Sequence, residues 1–194
     1  MFFYYDPTML LIIPAFFLAL YAQFKVNSNF KKFSKIYNSK GITGAEVARQ
    51  ILSNAGINDV TIDHAPGNNL GDHYDPRNKV IRLSDEVYGS TSVAAAGIAA
   101  HECGHAIQEA KGYLPNKIRM SFVPLANLGS IAAIPLFFIG LLLSSGMLQT
   151  LGIAFFSLTT LFYFITLPVE FNASSRAIKI LEADNYLNSE EISG

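Results

Sequence analysis

The stretch from Ser92 to Lys111, SVAAAGIAAHECGHAIQEAK, decides the fold of this chain. It is rich in alanine and contains no proline, a composition that predicts one long helix. Thr91 or Ser92 can cap its first turn, and Gly112 follows at the place where a left-handed residue commonly ends a helix. We therefore expect a single helix here, around which the rest of the chain is organised.

Two histidines lie one turn apart on this predicted helix. Because His101 and His105 are four residues apart, they share a face and can direct two ring nitrogens at one point. Together with Glu102 they form the pattern H-E-x-x-H, in which the histidines bind zinc and the glutamate takes a proton from the metal-bound water. The chain has only four histidines, so this pattern on an ordinary polar helix face is rare by chance. Cys103 points away from the metal-facing side and is expected to pack.

The composition indicates a membrane protein. The chain of 194 residues is long enough for one ordinary domain, and it is 51% hydrophobic and 15% charged. A soluble domain carries about a quarter charged residues, so part of this chain is expected to lie in lipid. The net charge of -1 gives no reason to propose a nucleic-acid partner. A single cysteine excludes an internal disulfide and suits a reducing compartment.

Residues 7–24, PTMLLIIPAFFLALYAQF, carry no charge and, at about 1.5 Å per residue, just span a hydrocarbon core. A cleaved signal peptide is the alternative. No Lys or Arg precedes the run and no small-x-small cleavage site follows it, which favours a retained anchor. Several lysines follow the run, and positive residues beside a span tend to stay in the cytoplasm. We therefore predict an N-terminus outside and the following segment inside.

A second membrane element is predicted between Ser121 and Val169, where the sequence contains no charged residue. Two apolar runs, Phe122–Leu143 and Met147–Val169, are each about long enough to span, and a short Ser-Ser-Gly connection separates them. A buried helical hairpin is the alternative, but a polar part of about a hundred residues is too small to cover it. A transmembrane hairpin returns to the side it left, so it brings the residues after it back to the predicted zinc helix.

The segment before the zinc helix predicts a small β-containing unit. Thr43-Gly-Ala-Glu46 has the form of a capping box that opens a helix. Val60–Asp63 and Lys79–Leu83 are predicted strands, separated by a loop rich in Gly, Asn and Pro. An exposed strand edge in such a unit could hold a peptide in extended form.

The loop between these strands contains DHYDP, residues 72–76, the other place where polar functional groups cluster. One interpretation is turn chemistry, in which Asp75 and Pro76 start a bend. The other is that His73 or Tyr74 donates a hydrogen bond to the oxyanion formed during catalysis. Both interpretations stay open on the sequence alone.

Two histidines make an incomplete site, because a catalytic zinc takes three protein ligands and keeps one position open. No third histidine follows at the spacing H-E-x-x-H-x-x-G-x-x-H. Glu109 lies two turns past His101, about 12 Å along a straight helix, which is too far for one ion. Glu170 follows the predicted hairpin at the start of a helix, and we prefer it to Glu182 and Asp184. A carboxylate that simply favours a helix N-terminus is the alternative for Glu170.

Three blocks of sequence together resemble the bacterial membrane-bound neutral zinc metallopeptidases of the YugP-like family. They are HECGHAIQ, DHYDP followed by KVIRLS, and EFNASSRA after the hairpin. The resemblance covers nearly the whole chain, and the three blocks in this order are specific. It implies a zincin-type catalytic domain with one catalytic Zn²⁺ and a glutamate as third ligand, a role that EFNASSRA places on Glu170.

The blocks are also distantly similar to the heat-shock-type and prenyl-protein membrane proteases. Those proteases place an Asp four residues after the ligand glutamate, where this chain has Ser174. Without that Asp, the candidates for the support that orients a histidine ligand are Asn172 and Ser174. Members of the resembled family commonly continue into one more apolar segment. This sequence does not contain it, so the chain is either a short member or a sequence that stops earlier.

The sequence thus predicts an α+β protein that is mainly α. Its expected parts are an anchor (1–24), a zincin-like catalytic domain with a short β-hairpin or small sheet (25–120), a transmembrane hairpin (121–169) and a helix with the third ligand (170–194). We expect an integral inner-membrane zinc metalloendopeptidase, with its catalytic domain in the cytoplasm and Glu102 as general base. Its substrates would be peptides or membrane proteins; the sequence indicates no oligomeric state. The alternatives are a hydrolase of non-peptide amides or esters and a membrane protein with a structural metal site.

Overall fold

The computed structural model describes residues 7–65, 67 and 71–192. It confirms a mainly helical α+β fold with one small sheet. After a 3₁₀ turn at Pro7–Leu11, the helices of this part of the chain are α1 (Ile12–Phe33), α2 (Gly44–Asn54), α3 (Asp85–Tyr88), α4 (Val93–Ala110), α5 (Leu114–Leu142), α6 (Gly146–Ala183) and α7 (Ser189–Ile192). The strands are β1 (Thr61–His64), β2 (His73–Asp75) and β3 (Val80–Leu83).

The sheet has the order β1-β3-β2, with β1 parallel and β2 antiparallel to the central strand. The sequence predicted β1 and β3 but left β2 in a loop. This third strand has only three residues, and it forms because Tyr74 pairs with Ile81 of the buried central strand and also contacts α4. The predicted hairpin or small sheet is therefore a three-stranded sheet whose edge strand faces the zinc-motif helix.

The connection between β2 and β3 contains the predicted bend. The Asp75 carboxylate accepts hydrogen bonds from the main-chain N–H groups of Arg77 and Asn78 and pairs with Arg82 across the hairpin at 2.9 Å. The Asn78 and Arg82 side chains hold the pKa of Asp75 well below its usual range. Turn chemistry is thus present in the DHYDP segment, and it fixes the register of the edge strand.

Helix α4 lies at the centre of the core. As predicted, Ser92 caps its start by accepting a hydrogen bond of 3.1 Å from the Ala95 N–H, and Gly112 follows its end with a φ of 63°. The predicted capping box of Thr43 and Glu46 opens α2, which packs on α4. Helix α6 packs against another side of α4, so the motif helix is enclosed by the elements that can complete its site.

Helices α5 and α6 form the long apolar hairpin that the sequence predicted. Both are long and apolar enough to cross a membrane. Gly152 lets them approach closely, since a Cβ added there would lie 2.8 Å from both the Ala133 carbonyl oxygen and the Phe137 nitrogen. Small residues at such crossings are typical of helices that pack in lipid.

The two hairpin helices continue without a break through the predicted boundaries at 120/121 and 169/170. The sequence placed the start of a separate helix at Glu170, and this was wrong: Glu170 lies in the interior of α6. Pro168 does not end the helix, because it removes a single N–H donor, and neighbouring helices can accommodate that loss. The metal-site part and the hairpin therefore share two continuous helices.

The N-terminal apolar run is largely helical, but it differs from the hairpin. Helix α1 begins at Ile12, and none of its described residues is buried. Its second half carries polar and charged residues, and among the helices described only α5 and α6 combine the length and apolar composition of a membrane span. The anchor at residues 1–24 stays a prediction, and residues 1–6 lie outside the described part.

Candidate metal centre

Three side chains from α4 and α6 converge on one point. The Nε2 atoms of His101 and His105 lie 3.2 Å apart, and Oε2 of Glu170 lies 3.3 and 3.4 Å from them. A tetrahedral zinc ion with ligand distances of about 2.0–2.1 Å needs donor atoms roughly 3.3–3.4 Å apart. The triangle of donors fits such an ion, so these residues can hold it.

Each imidazole is oriented by a hydrogen bond at its other ring nitrogen. Nδ1 of His101 lies 3.1 Å from Oγ of Ser174, and Nδ1 of His105 lies 3.2 Å from Oε1 of Gln108. Because Oε1 of Gln108 can only accept, the proton of neutral His105 lies on Nδ1. That tautomer leaves Nε2 free for a metal, and such outer contacts fix the ring orientation.

Of the two residues predicted to support the histidine ligands, Ser174 lies beside one of them and Asn172 lies one residue further out. Ser174 itself contacts His101, whereas Asn172 reaches His105 through Gln108, whose Nε2 donates to the Asn172 side chain at 3.0 Å and to the Val169 carbonyl at 2.8 Å. Sequence reasoning missed Gln108. Its signal was a polar residue three positions past His105 that proves to be fully buried, which is unusual for glutamine.

A close helix contact delivers Glu170 to the histidines. A Cβ added to Gly104 would lie 2.8 Å from the carbonyl oxygen of Ala173, so α4 and α6 touch through their main chains at this point. Glu170 and Ser174 are four residues apart on α6 and therefore share the face that meets α4. The two imidazoles hold the pKa of Glu170 well below its usual range, which keeps it ionised, as a metal ligand must be.

Glu102 lies beside the donor triangle and is buried, with 8% of its surface exposed. Its Oε2 accepts a hydrogen bond of 2.8 Å from the main-chain N–H of Tyr74 on β2. Burial raises the pKa of Glu102 above its ordinary value. One carboxylate oxygen is thus fixed by the edge strand, in an environment that increases the basicity of the group.

The two residues predicted to stabilise an oxyanion lie differently. The Tyr74 hydroxyl donates to Oε2 of Glu109 at 2.8 Å, and Lys79 binds the other oxygen of that carboxylate. Only the main chain of Tyr74 is bonded to Glu102. His73 borders the site, with Nδ1 3.1 Å from the Gly71 carbonyl oxygen. The oxyanion role stays a prediction for both residues.

Cys103 packs as predicted. It is fully buried, its thiol donates to the Ala48 carbonyl oxygen at 3.6 Å, and burial raises its pKa, so it stays a neutral thiol. It takes no part in the metal centre.

A cavity of about 260 Å³ opens onto the donor triangle and Glu102. Its walls come from β2, α4, α5 and α6, and the α5 wall contributes Asn116, Arg119 and Met120. Arg119 is the last charged residue before the uncharged hairpin and Glu170 is the first after it. The cavity therefore lies where the two long helices leave the polar part of the protein.

The family model described as "Putative neutral zinc metallopeptidase" matches residues 8–194. The chain belongs to this family. A relative named "Putative membrane protease YugP", from Bacillus subtilis (strain 168), is 46% identical over 184 residues, which is 95% of this chain and 81% of the relative. No solved structure matches the chain.

Membership of this zinc metallopeptidase family confirms the resemblance drawn from the three sequence blocks. It makes Zn²⁺ the cofactor, and the group of His101, His105 and Glu170 can hold the ion. The relative named as a membrane protease and the two long apolar helices agree on a membrane-associated protease.

Proposed function

We propose that this protein is a zinc metalloendopeptidase that hydrolyses peptide bonds at the membrane surface, with Glu102 as general base. The observation that carries the proposal is the donor triangle, with separations of 3.2, 3.3 and 3.4 Å, beside a buried carboxylate in one cavity. His101, His105 and Glu170 are the ligands in this proposal.

A zinc ion held by His101, His105 and Glu170 would acidify a bound water and polarise the scissile carbonyl group. Glu102 accepts the proton of the attacking water on the oxygen that Tyr74 does not hold, and later passes it to the leaving amine. A base works best when its pKa lies near the working pH, and burial moves Glu102 in that direction. Ser174 and Gln108 keep the two imidazoles oriented meanwhile.

The alternatives have less support. A structural zinc is closed by four protein ligands, whereas the residues the structure describes bring three together beside a cavity. A peptide substrate is supported by the edge strand β2, which borders the cavity, since extended peptides commonly lie along strand edges.

Arg119 and Glu170, which bracket the uncharged hairpin, support a site at the membrane surface, with membrane proteins or nearby peptides as substrates. Lysines and arginines flanking the apolar segments support the cytoplasmic face.

The proposal is tested by a zinc count and a cleavage assay on purified wild type and three variants. Glu102→Gln keeps its zinc and loses about 10²- to 10⁴-fold in turnover of casein or a membrane-protein substrate. Glu170→Ala loses zinc as well as activity. Glu182→Ala, an exposed change on the same helix, keeps both and serves as the matched control. Near wild-type cleavage by Glu102→Gln contradicts the general base, and full zinc in Glu170→Ala moves the third ligand elsewhere.

A further inference from the structure

Arg119 lines the cavity from α5, and its guanidinium contains a buried hydrogen-bond donor. Its Nε is buried and has no hydrogen-bond partner among the residues described. None of the salt bridges among the described residues involves the Arg119 guanidinium. Buried donors without partners are rare in folded proteins and call for an explanation, such as a ligand that supplies the missing acceptor.

Asn116 lies one turn earlier on the same face of α5. It is buried, with 8% of its surface exposed, and it lines the cavity together with Arg119. No hydrogen bond links its side-chain amide to another described residue. One wall of the cavity therefore presents a guanidinium and an amide, the two side chains best suited to bind planar oxygen groups and peptide groups.

Three carboxylates line the cavity together with Arg119, those of Asp72, Glu102 and Glu170. Glu170 would hold the zinc ion, Glu102 accepts from the Tyr74 N–H, and Asp72 accepts from the main chain and the hydroxyl of Ser84. None of these carboxylates forms a salt bridge with the guanidinium of Arg119. A guanidinium with a buried, unpartnered Nε favours a ligand that brings an oxygen with negative or partial negative charge.

We propose that Arg119, assisted by Asn116, binds a carbonyl or carboxylate oxygen of the peptide substrate on the α5 side of the metal centre. This inference rests on the proposed peptidase function and names the substrate group that the cavity recognises. The oxygen has two sources: a main-chain carbonyl beside the scissile bond, or the carboxylate at a peptide C-terminus. The first source fits cleavage within a chain and the second fits cleavage near its end.

The test measures binding by calorimetry on the full-length, zinc-loaded protein in detergent, without turnover. The probes are Leu-Ala with a hydroxamate group attached at its N-terminal end and a free C-terminal carboxylate, the same compound with a C-terminal amide, and acetohydroxamate. Both oxygens of acetohydroxamate bind the metal, and the compound has no further oxygen that could reach Arg119. Its binding therefore reports an intact metal centre. Lys117→Gln removes an exposed charge two positions away on α5 and serves as the matched control.

Arg119→Gln is expected to bind acetohydroxamate like wild type and to bind a dipeptide probe about ten- to a hundredfold more weakly, the range for lost charge-assisted hydrogen bonds. Equal loss for both dipeptide forms identifies a main-chain carbonyl; loss for the carboxylate form alone identifies a C-terminal carboxylate. Wild-type affinity for both dipeptide forms overturns the proposal.

A second variant covers the case in which Arg119→Gln loses acetohydroxamate binding and thus its zinc. Arg119→Lys keeps the charge and lacks the planar fork, so it is expected to weaken dipeptide binding severalfold. Unchanged binding of both dipeptide forms by Arg119→Lys then overturns the proposal. Absence of peptide cleavage by the wild type would contradict the proposed function. The binding results would still decide whether Arg119 binds an oxygen of a peptide.

Discussion

Tyr74 donates its main-chain N–H to Oε2 of Glu102 and its hydroxyl to Oε2 of Glu109, in both cases at 2.8 Å. The two carboxylates are seven residues apart on α4, about 10 Å along the helix axis. One residue of the edge strand therefore ties the sheet to the motif helix at two points. Only the first point belongs to the metal centre, so the two polar groups of Tyr74 have separable roles.

Tyr74→Phe is expected to leave peptide cleavage within about threefold of wild type and to lower the stability of the protein. The change keeps the N–H that holds Glu102 and removes a hydroxyl bound to a carboxylate, a loss of about 1–2 kcal/mol. The measurements are kcat/KM and the midpoint of thermal unfolding in detergent.

Glu109→Gln is the matched control, because it keeps an acceptor for the Tyr74 hydroxyl and removes the charge that pairs with Lys79. It should also lower the unfolding midpoint without loss of activity. A hundredfold fall in kcat for Tyr74→Phe at an unchanged midpoint would instead place the hydroxyl on the substrate, as the sequence-based hypothesis of an oxyanion donor requires.

Ser174→Ala is expected to weaken zinc binding about ten- to a hundredfold, the usual effect of losing an outer contact to a histidine ligand. The change removes the hydroxyl that lies 3.1 Å from Nδ1 of His101, and this hydroxyl contacts no other polar side chain among the described residues. Competition with a calibrated chelator measures the zinc affinity.

Ser174→Asp provides the control for this prediction. A carboxylate at this position can accept from the same imidazole nitrogen, so zinc affinity is expected to equal or exceed that of wild type. Equal zinc affinity in wild type and Ser174→Ala would show that His101 does not depend on the contact.

The sequence was sufficient for the parts of the site fixed by local geometry. The spacing of His101 and His105 on one helix face follows from the helix period alone. The helix caps at Thr43 and Ser92 also depend on neighbouring residues only. Glu170 was selected because the uncharged hairpin had to bring it back to the motif helix, and in the structure its carboxylate lies beside both imidazoles.

The remaining features depend on contacts between distant segments. Strand β2 has too few residues to show a pattern and exists through its pairing with β3 and the bond to Glu102. The role of Gln108 depends on how closely α6 approaches, which is set by Gly104 and Ala173. The continuity of α6 through Pro168 depends on packing against α5, so the proline was a misleading stop signal.

Gly104→Ala is expected to separate α4 from α6 and thereby to weaken zinc binding and lower stability. The new methyl group would meet the Ala173 main chain, which cannot move as a flexible side chain would, and overpacking of this kind costs about 1–3 kcal/mol. Gly97→Ala on the same helix is the matched control. A Cβ there meets nothing within 4 Å, so it should stabilise the helix by about 0.5–1 kcal/mol. Unchanged zinc affinity and stability in Gly104→Ala would show that the helices can move apart without loss.

The predicted orientation in the membrane is open to a direct labelling test, because Cys103 is buried with a raised pKa and should not react with maleimide in the folded protein. Ser53→Cys places an exposed thiol on α2 and Met147→Cys places one at the tip of the hairpin. With the metal centre at the cytoplasmic face, an impermeant maleimide should label Met147→Cys in intact cells and label Ser53→Cys only after permeabilisation. Wild type should stay unlabelled in both conditions. The reverse pattern would place the metal centre outside the cell.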